Sequence, residues 1–219
     1  RKLQALVTAT IVLALYASTT RAADYAATLS QEPVEIVRQA AGKILGDLDQ
    51  NREQFTAQPQ LLRDVVRSDL LPLLDLEYSA RLILGKAARG ISQEQLSAFS
   101  TAMSDVLINR YADGLLEFRS HDQLEVMPMK GDNNDKLTRV RTRVKLNNGG
   151  FAPVDYAFHK IADGWKAFDL SVEGISLVAT HRGSFAEKVQ QSGIDGLIKS
   201  LTELNQGAAS TSAKKAEAK

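Results

Sequence analysis

The sequence predicts an α+β protein in which a layer of helices covers a four-stranded antiparallel sheet. Three observations carry this. Apolar residues recur at helical spacing up to residue 119. From about residue 120 the period drops to two, with turn signals between the runs. A helical pattern then returns over 184–204. Helices, then strands, then a helix is not the βαβ alternation of a doubly wound fold.

The first helix is predicted over 33–54. Val34, Val37, Ala41, Ile44, Leu45 and Leu48 form its apolar side, Ser30 is its candidate cap, and Pro33 falls in the first turn, where a missing N–H costs least. A second runs from Pro59 to about Leu71, with Leu61, Leu62, Val65, Val66 and Leu70 apolar, and Pro72 ends or kinks it. A third, short helix covers 75–86, with Asp75 as N-cap and Gly85 near its end. The strongest helical signal spans 92–119. Ser92 and Gln95 make a capping box, Ile91 and Leu96 are placed for a hydrophobic staple, and Leu96, Phe99, Met103, Leu107, Tyr111, Leu115 and Phe118 form a stripe.

The strands follow. Leu124 and Val126; Val140, Thr142, Val144 and Leu146; Val154, Tyr156 and Phe158; and Phe168, Leu170 and Val172 each alternate with polar residues. Gly131-Asp132-Asn133-Asn134, Asn147-Asn148-Gly149-Gly150 and Asp163-Gly164 punctuate them, which predicts a meander of hairpins. In the last strand Phe168, Leu170 and Val172 are expected to face the apolar side, and Asp169 and Ser171 to face outward. Over 184–204, Phe185, Val189, Ile194, Leu197, Ile198 and Leu201 are apolar, while Gly193 and Gly196 weaken the helix in its middle.

The chain has 219 residues, 44% apolar and 24% charged, which suits one globular domain. It contains no cysteine, which excludes disulfides, thiolate nucleophiles and zinc–thiolate sites. Arg1-Lys2, the apolar run of residues 3–17 and the small residues Ala22-Ala23 have the layout of a secretory signal peptide. An uncleaved anchor is the alternative, but the run is short of the ~20 residues that span a bilayer. No cysteine follows it, so a lipidated anchor is excluded. The expected organisation is a signal peptide over 1–23, one domain over 24–206 and a disordered tail over 207–219. Without Arg1, Lys2 and Arg21, Lys+Arg falls from 27 to 24 against an Asp+Glu of 26, a net charge near −2. Such a balance gives no sign of a nucleic-acid binder.

Few residues suggest chemistry. His121, His159 and His181 lack metal-ligand spacing, and no Gly-x-Ser-x-Gly, His-Glu-x-x-His or P-loop pattern occurs. Asp132 to Asp135 are oxygen-rich but lack the rest of a calcium loop, so a hairpin turn is the simpler reading. Asp169 and Glu173 share a strand face and read as partners for basic residues, or as an acid–base pair. Arg139, Arg141, Arg143 and Lys145 read as a solvated strand face that pairs with Asp155, Glu125 or Glu173, or as a surface for an anionic partner. The apolar stripes read equally as core or as the wall of a ligand cavity.

DLEYSARLILGK (75–86), NRYADGLLEF (109–118), PVDYAF (153–158), DGWKAFDLSVEGISLV (163–178) and SGIDGLIKSL (192–201) together resemble the MlaC family. These are periplasmic phospholipid carriers of Gram-negative bacteria, also called toluene-tolerance auxiliary proteins. The resemblance spans roughly residues 33–204. Thr180-His181-Arg182 departs from the family's frequent Asn-Tyr-Arg, and Ala87-Ala88 replaces an aromatic that often follows Gly-Lys. The resemblance implies a curved, NTF2-like sheet under helices, a pocket for acyl chains, no catalysis and no cofactor besides the phospholipid cargo. It also implies a monomeric shuttle between an outer-membrane lipoprotein–porin complex and an inner-membrane Mla ABC transporter. On that basis Val140, Val144, Val154, Tyr156, Phe158, Phe168, Leu170 and Val172 are expected on one pocket wall, and Leu82, Ile83, Phe99, Met103, Leu107 and Tyr111 on the helices. The rival expectations are an NTF2-like enzyme with a carboxylate or histidine in its cavity, a scaffold with a solid core, and a carrier of small aromatic solvents.

Overall fold

The computed structural model describes residues 27–117, 124–127, 134–145 and 149–217. The signal peptide over 1–23, Phe118, His121, the turn signals at 131–133 and 147–148, and Leu146 lie outside the described residues.

Among the described residues, helices come first, then strands, then a final helix. Helix α1 spans Pro33–Ala57, α2 Pro59–Asp69, α3 Leu76–Leu84 and α4 Gln93–Tyr111. Strands β1 (Leu124–Val126), β2 (Leu137–Lys145), β3 (Phe151–Ile161), β4 (Gly164–Val172) and β5 (Ile175–Ser176) form one antiparallel sheet in chain order. Helix α5 spans Leu177–Glu217. The architecture is α+β, as the period switch predicts, with one strand more than expected: the two residues after the Glu173-Gly174 turn pair back on β4.

The local signals explain most boundaries. Ser92 and Gln95 form the capping box of α4, and Asp75 accepts the Tyr78 N–H at the start of α3. Gly85, with φ +57°, ends α3 in a conformation that glycine adopts without cost. Ser30 does not cap α1. Its hydroxyl donates to the Ala27 carbonyl, and Glu32 holds the cap position. Helix α4 stops at Tyr111 rather than 119, because Asp113-Gly114 favours a tighter turn and the chain continues as a 3₁₀ helix over Ala112–Glu117. Helix α5 starts at Leu177 rather than 184, since the Ser176 hydroxyl caps it by accepting the Ala179 N–H, and it breaks at Gly193, with φ +70°. Its backbone stays helical to Glu217, over most of the segment expected to be disordered; that segment is rich in alanine, the best helix former.

Among the described residues the core consists of three apolar clusters rather than one. Ile36 and Val37 of α1 pack on Val140, Phe158, Trp165 and Ala167 of the sheet. Further along α1, Ile44, Leu45, Leu48 and Phe55 meet Leu62 and Val66 of α2 and Ile108 of α4. Ala80, Ile83, Leu96, Phe99, Met103, Phe185, Leu197 and Leu201 join α3, α4 and α5. The segment before α3 is laced to β4: Leu74 bridges Ala167, the Asp75 N–H donates to the Ala167 carbonyl, and the Ser79 hydroxyl donates to the Phe168 carbonyl at 2.7 Å. On the sheet's solvent face, Arg143 Nε lies 2.6 Å from Glu125 and Arg141 4.0 Å from Asp155, the cross-strand pairing expected of that stripe.

Candidate functional site

The alternation that places apolar residues on one face holds along β2 and β3 but breaks on β4. Ala157 pairs with Asp169 while Phe158 pairs with Ala167, so Phe168 is an extra residue in a β-bulge. Before the bulge, Trp165 and Ala167 point at α1. After it, Leu170 pairs with Tyr156 and Val172 with Val154. The bulge sets Ala167, Phe168, Asp169 and Leu170 together on the wall of a cavity.

That cavity, about 370 Å³, lies where the three apolar clusters fail to merge. It takes Ile83 and Met103 from one, Ile44, Leu45, Val66 and Ile108 from the second, and Ile36, Val37 and Phe158 from the third. Its only polar side chains among the described residues are Ser79, Ser104, Tyr111, Tyr156 and Asp169, and no basic residue lines it. Ser79 and Ser104 spend their hydroxyls on backbone carbonyls, at Asp75 and Phe168 and at Thr101. Burial pushes the Tyr156 phenol up to about 12, against a smaller opposing effect of its hydrogen bond to Thr142. Tyr156 keeps some accessible surface because it faces the void.

Of the fourteen candidate residues, the structure brings nine to this wall: Ile83, Met103, Leu107, Tyr111, Val144, Tyr156, Phe158, Phe168 and Leu170. Five are elsewhere, each for a physical reason. Phe99 is fully buried in the cluster that joins α3, α4 and α5, edge-on to Phe185 at 5.7 Å. Leu82 is one residue, or ~100° of helix, away from the inward Ile83. Val140 packs under α1. Val154 is buried within the sheet's core, away from the void. Val172 lies past the helical cover at the β4–β5 hairpin and is 40% exposed.

Asp169 is a correction of another kind. It was expected to face outward and instead lines the cavity, because its carboxylate is drawn to the start of α5: it accepts the Ser176 hydroxyl at 2.6 Å and the Val178 N–H at 3.1 Å. Both oxygens are thus engaged in anchoring a helix. His159 is held by Asp75 at 3.0 Å and stacked on Tyr78, away from the wall. Among the described residues no group of three or more His, Cys, Asp or Glu could hold a metal ion, and no helix is long and apolar enough to cross a membrane.

The sequence reading missed the α1 side of the wall. Ile36, Val37, Ala40, Ala41, Ile44 and Leu45 line the void, as do leucines of the stretch Leu70–Leu76. The first carry an ordinary helical period and so read as core. The second, Leu70-Leu71-Pro72-Leu73-Leu74, has no period at all. An aperiodic leucine run was the available signal.

Fold and site define a class: an α+β domain with an apolar cavity between its helices and its sheet. The chain belongs to the MlaC family, whose model, described as MlaC protein, matches residues 38–203. The toluene tolerance protein ttg2D of Pseudomonas putida is 30% identical over 167 residues, covering 76% of this chain and 77% of that one. The intermembrane phospholipid transport system binding protein MlaC of Haemophilus influenzae is 29% identical over 177 residues, covering 78% and 81%. A phospholipid-binding protein from Ralstonia solanacearum, solved in complex with a phospholipid, shares the fold with a TM-score of 0.73 at 23% identity, over 82% of this chain and 99% of that one.

Proposed function

We propose that this protein is a phospholipid carrier of the periplasm, which holds acyl chains in the cavity while it moves between an outer-membrane lipoprotein–porin complex and an inner-membrane Mla ABC transporter. The observation that carries the reading is the cavity wall. It is mostly apolar, and its few polar groups are mostly spent on internal hydrogen bonds. Such a wall has little to offer a polar substrate and much to offer a hydrocarbon, since each buried methylene contributes ~0.8 kcal/mol. The names of the Haemophilus and Ralstonia relatives support the cargo, and the basic, apolar, small-residue pattern of residues 1–23 supports export.

The cavity volume favours a second reading. A cavity of about 370 Å³ admits a small aromatic solvent with the three clusters as they stand. Mass spectrometry of organic extracts from natively purified protein, with uptake from liposomes by the stripped protein, separates the two. Co-purified phospholipid and liposome uptake are expected. An extract without phospholipid, and no uptake, sinks the carrier reading. Leu170→Arg puts a charge on the wall and is expected to abolish loading while circular dichroism remains native; full loading of that variant would remove the cavity from the mechanism.

A further inference from the structure

Asp169 stands apart from the other aspartates that join one element to another. Asp69, Asp105 and Asp113 each face a cation at 2.9 Å, on Lys43, Arg67 and Arg63, and Asp75 faces His159 at 3.0 Å. None of those four lines the cavity. Asp169 does, and it is met only by neutral donors, the Ser176 hydroxyl and the Val178 N–H. It makes no ion pair among the described residues, and no basic residue lines the wall around it. An anchor for α5 does not require a charge, since an asparagine side chain also accepts from a hydroxyl or an N–H. The N-terminal end of α5 offsets the carboxylate only in part, because a helix end carries about half a positive charge. What is left acts across a mostly apolar void, where a charge is screened far less than in water.

We propose that Asp169 is a specificity-determining residue that gives the cavity a sign: an anionic ligand is refused where an uncharged ligand of the same shape is taken, and a cationic ligand is held in preference to its anionic counterpart. The proposal rests on the proposed function, in which the cavity holds hydrocarbon, and adds charge selection to it. A purely apolar wall disfavours both ions alike, because both lose hydration on entry. The carboxylate breaks that symmetry by repelling one ion and attracting the other. The β-bulge makes this possible. With Phe168 as the extra residue, Asp169 falls on the wall beside Leu170, Leu177 and Val178 instead of on the solvent face, where water and salt would screen it. The plainer role of Asp169 is the anchor alone. That role changes the binding of every ligand by the same factor, whatever its charge.

The test uses full-length protein stripped of lipid and three ligands built on one ring system: naphthalene, 1-naphthylmethylammonium and 1-naphthoate, each measured by equilibrium dialysis at neutral pH. The wild type is expected to bind naphthalene and to prefer the cation to the anion. Asp169→Asn, which keeps an acceptor for the anchor, is expected to lower the cation-to-anion ratio of affinities about tenfold. Asp169→Glu is expected to keep most of the ratio, and Glu173→Gln, which removes an exposed carboxylate at the β4–β5 turn, to leave it unchanged. Equal binding of the two ions by the wild type, or binding of neither, overturns the selector alone, as does an unchanged ratio or an equal loss of all three ligands in Asp169→Asn. Should that variant fail to fold, Ser176→Ala decides: it takes one donor from the carboxylate, so a raised ratio supports the selector and an unchanged one overturns it. No uptake of naphthalene by the wild type overturns the hydrocarbon site and the selector together.

Discussion

At the scale of residues, His181 couples the molecule to acidity. Its folded-state pKa is lowered, by burial first and by Arg110 second. The unfolded chain takes up a proton near the ordinary value of ~6.5, while the folded chain resists. Below that pH the unfolded state binds more protons, so stability falls as the medium is acidified from about pH 6.5 toward the lowered folded value. The urea midpoint of the wild type is expected to drop between pH 7 and pH 5, and that of His181→Phe, which keeps a ring against Phe185, to drop less. Equal slopes for the two proteins would show that other groups set the acid limit. Arg63 is a different kind of buried cation. It gives Nη2 to both carboxylate oxygens of Asp113, at 3.0 and 2.9 Å, and leaves Nε and Nη1 without partners. A pair made on those terms is weak evidence for stability.

At the scale of elements, the β3–β4 hairpin shows how tightly a strand can be located by one glycine. Gly164 has φ +139°, and a Cβ there would stand 1.9 Å from the Leu29 carbonyl oxygen. Gly149 also has a positive φ, +84°, but faces open space. Gly164→Ala is expected to cost at least ~2 kcal/mol, against about 1 kcal/mol for Gly149→Ala, by urea denaturation. Equal costs would mean that the Leu29 segment yields. The sequence made much of this level legible, because caps, turns and alternation are local codes. Ser92-x-x-Gln95, Asp75 and Gly85 do what their positions announce. The bulge at Phe168 is not local. It exists because β4 must meet both β3 and the Leu74–Ser79 segment, and no alternation of residues 165–172 announces that the pairing shifts by one. The misplacement of Asp169 follows from the same tertiary demand, and that of Phe99 from an apolar stripe wide enough to serve two neighbours.

At the scale of the whole molecule, the cavity was illegible because wall and core call for the same residues. Ile44 and Leu48 stand one turn apart in one stripe, yet Ile44 lines the void and Leu48 is fully buried away from it. What decides is whether three clusters fuse, which no single stripe encodes. A core divided in this way lacks contacts that a bound hydrocarbon supplies, and any ligand that binds only the folded state stabilises it by mass action. Protein stripped of lipid is therefore expected to melt below natively purified protein, and reloading to restore the midpoint in differential scanning calorimetry. Coincident transitions would show that the void is already well packed. The lacing of β4 has a consequence for life at high concentration. The carbonyls of Ala167 and Phe168, on one rim of the sheet, are consumed by the Asp75 N–H and the Ser79 hydroxyl. Among the described residues the opposite rim is a three-residue strand beside the arginines of β2. Backbone templating by another chain needs a long, bare, uncharged edge, and among the described residues neither rim offers one. A protein built around an oily interior is thus guarded against fibril growth at the two places where a sheet invites it.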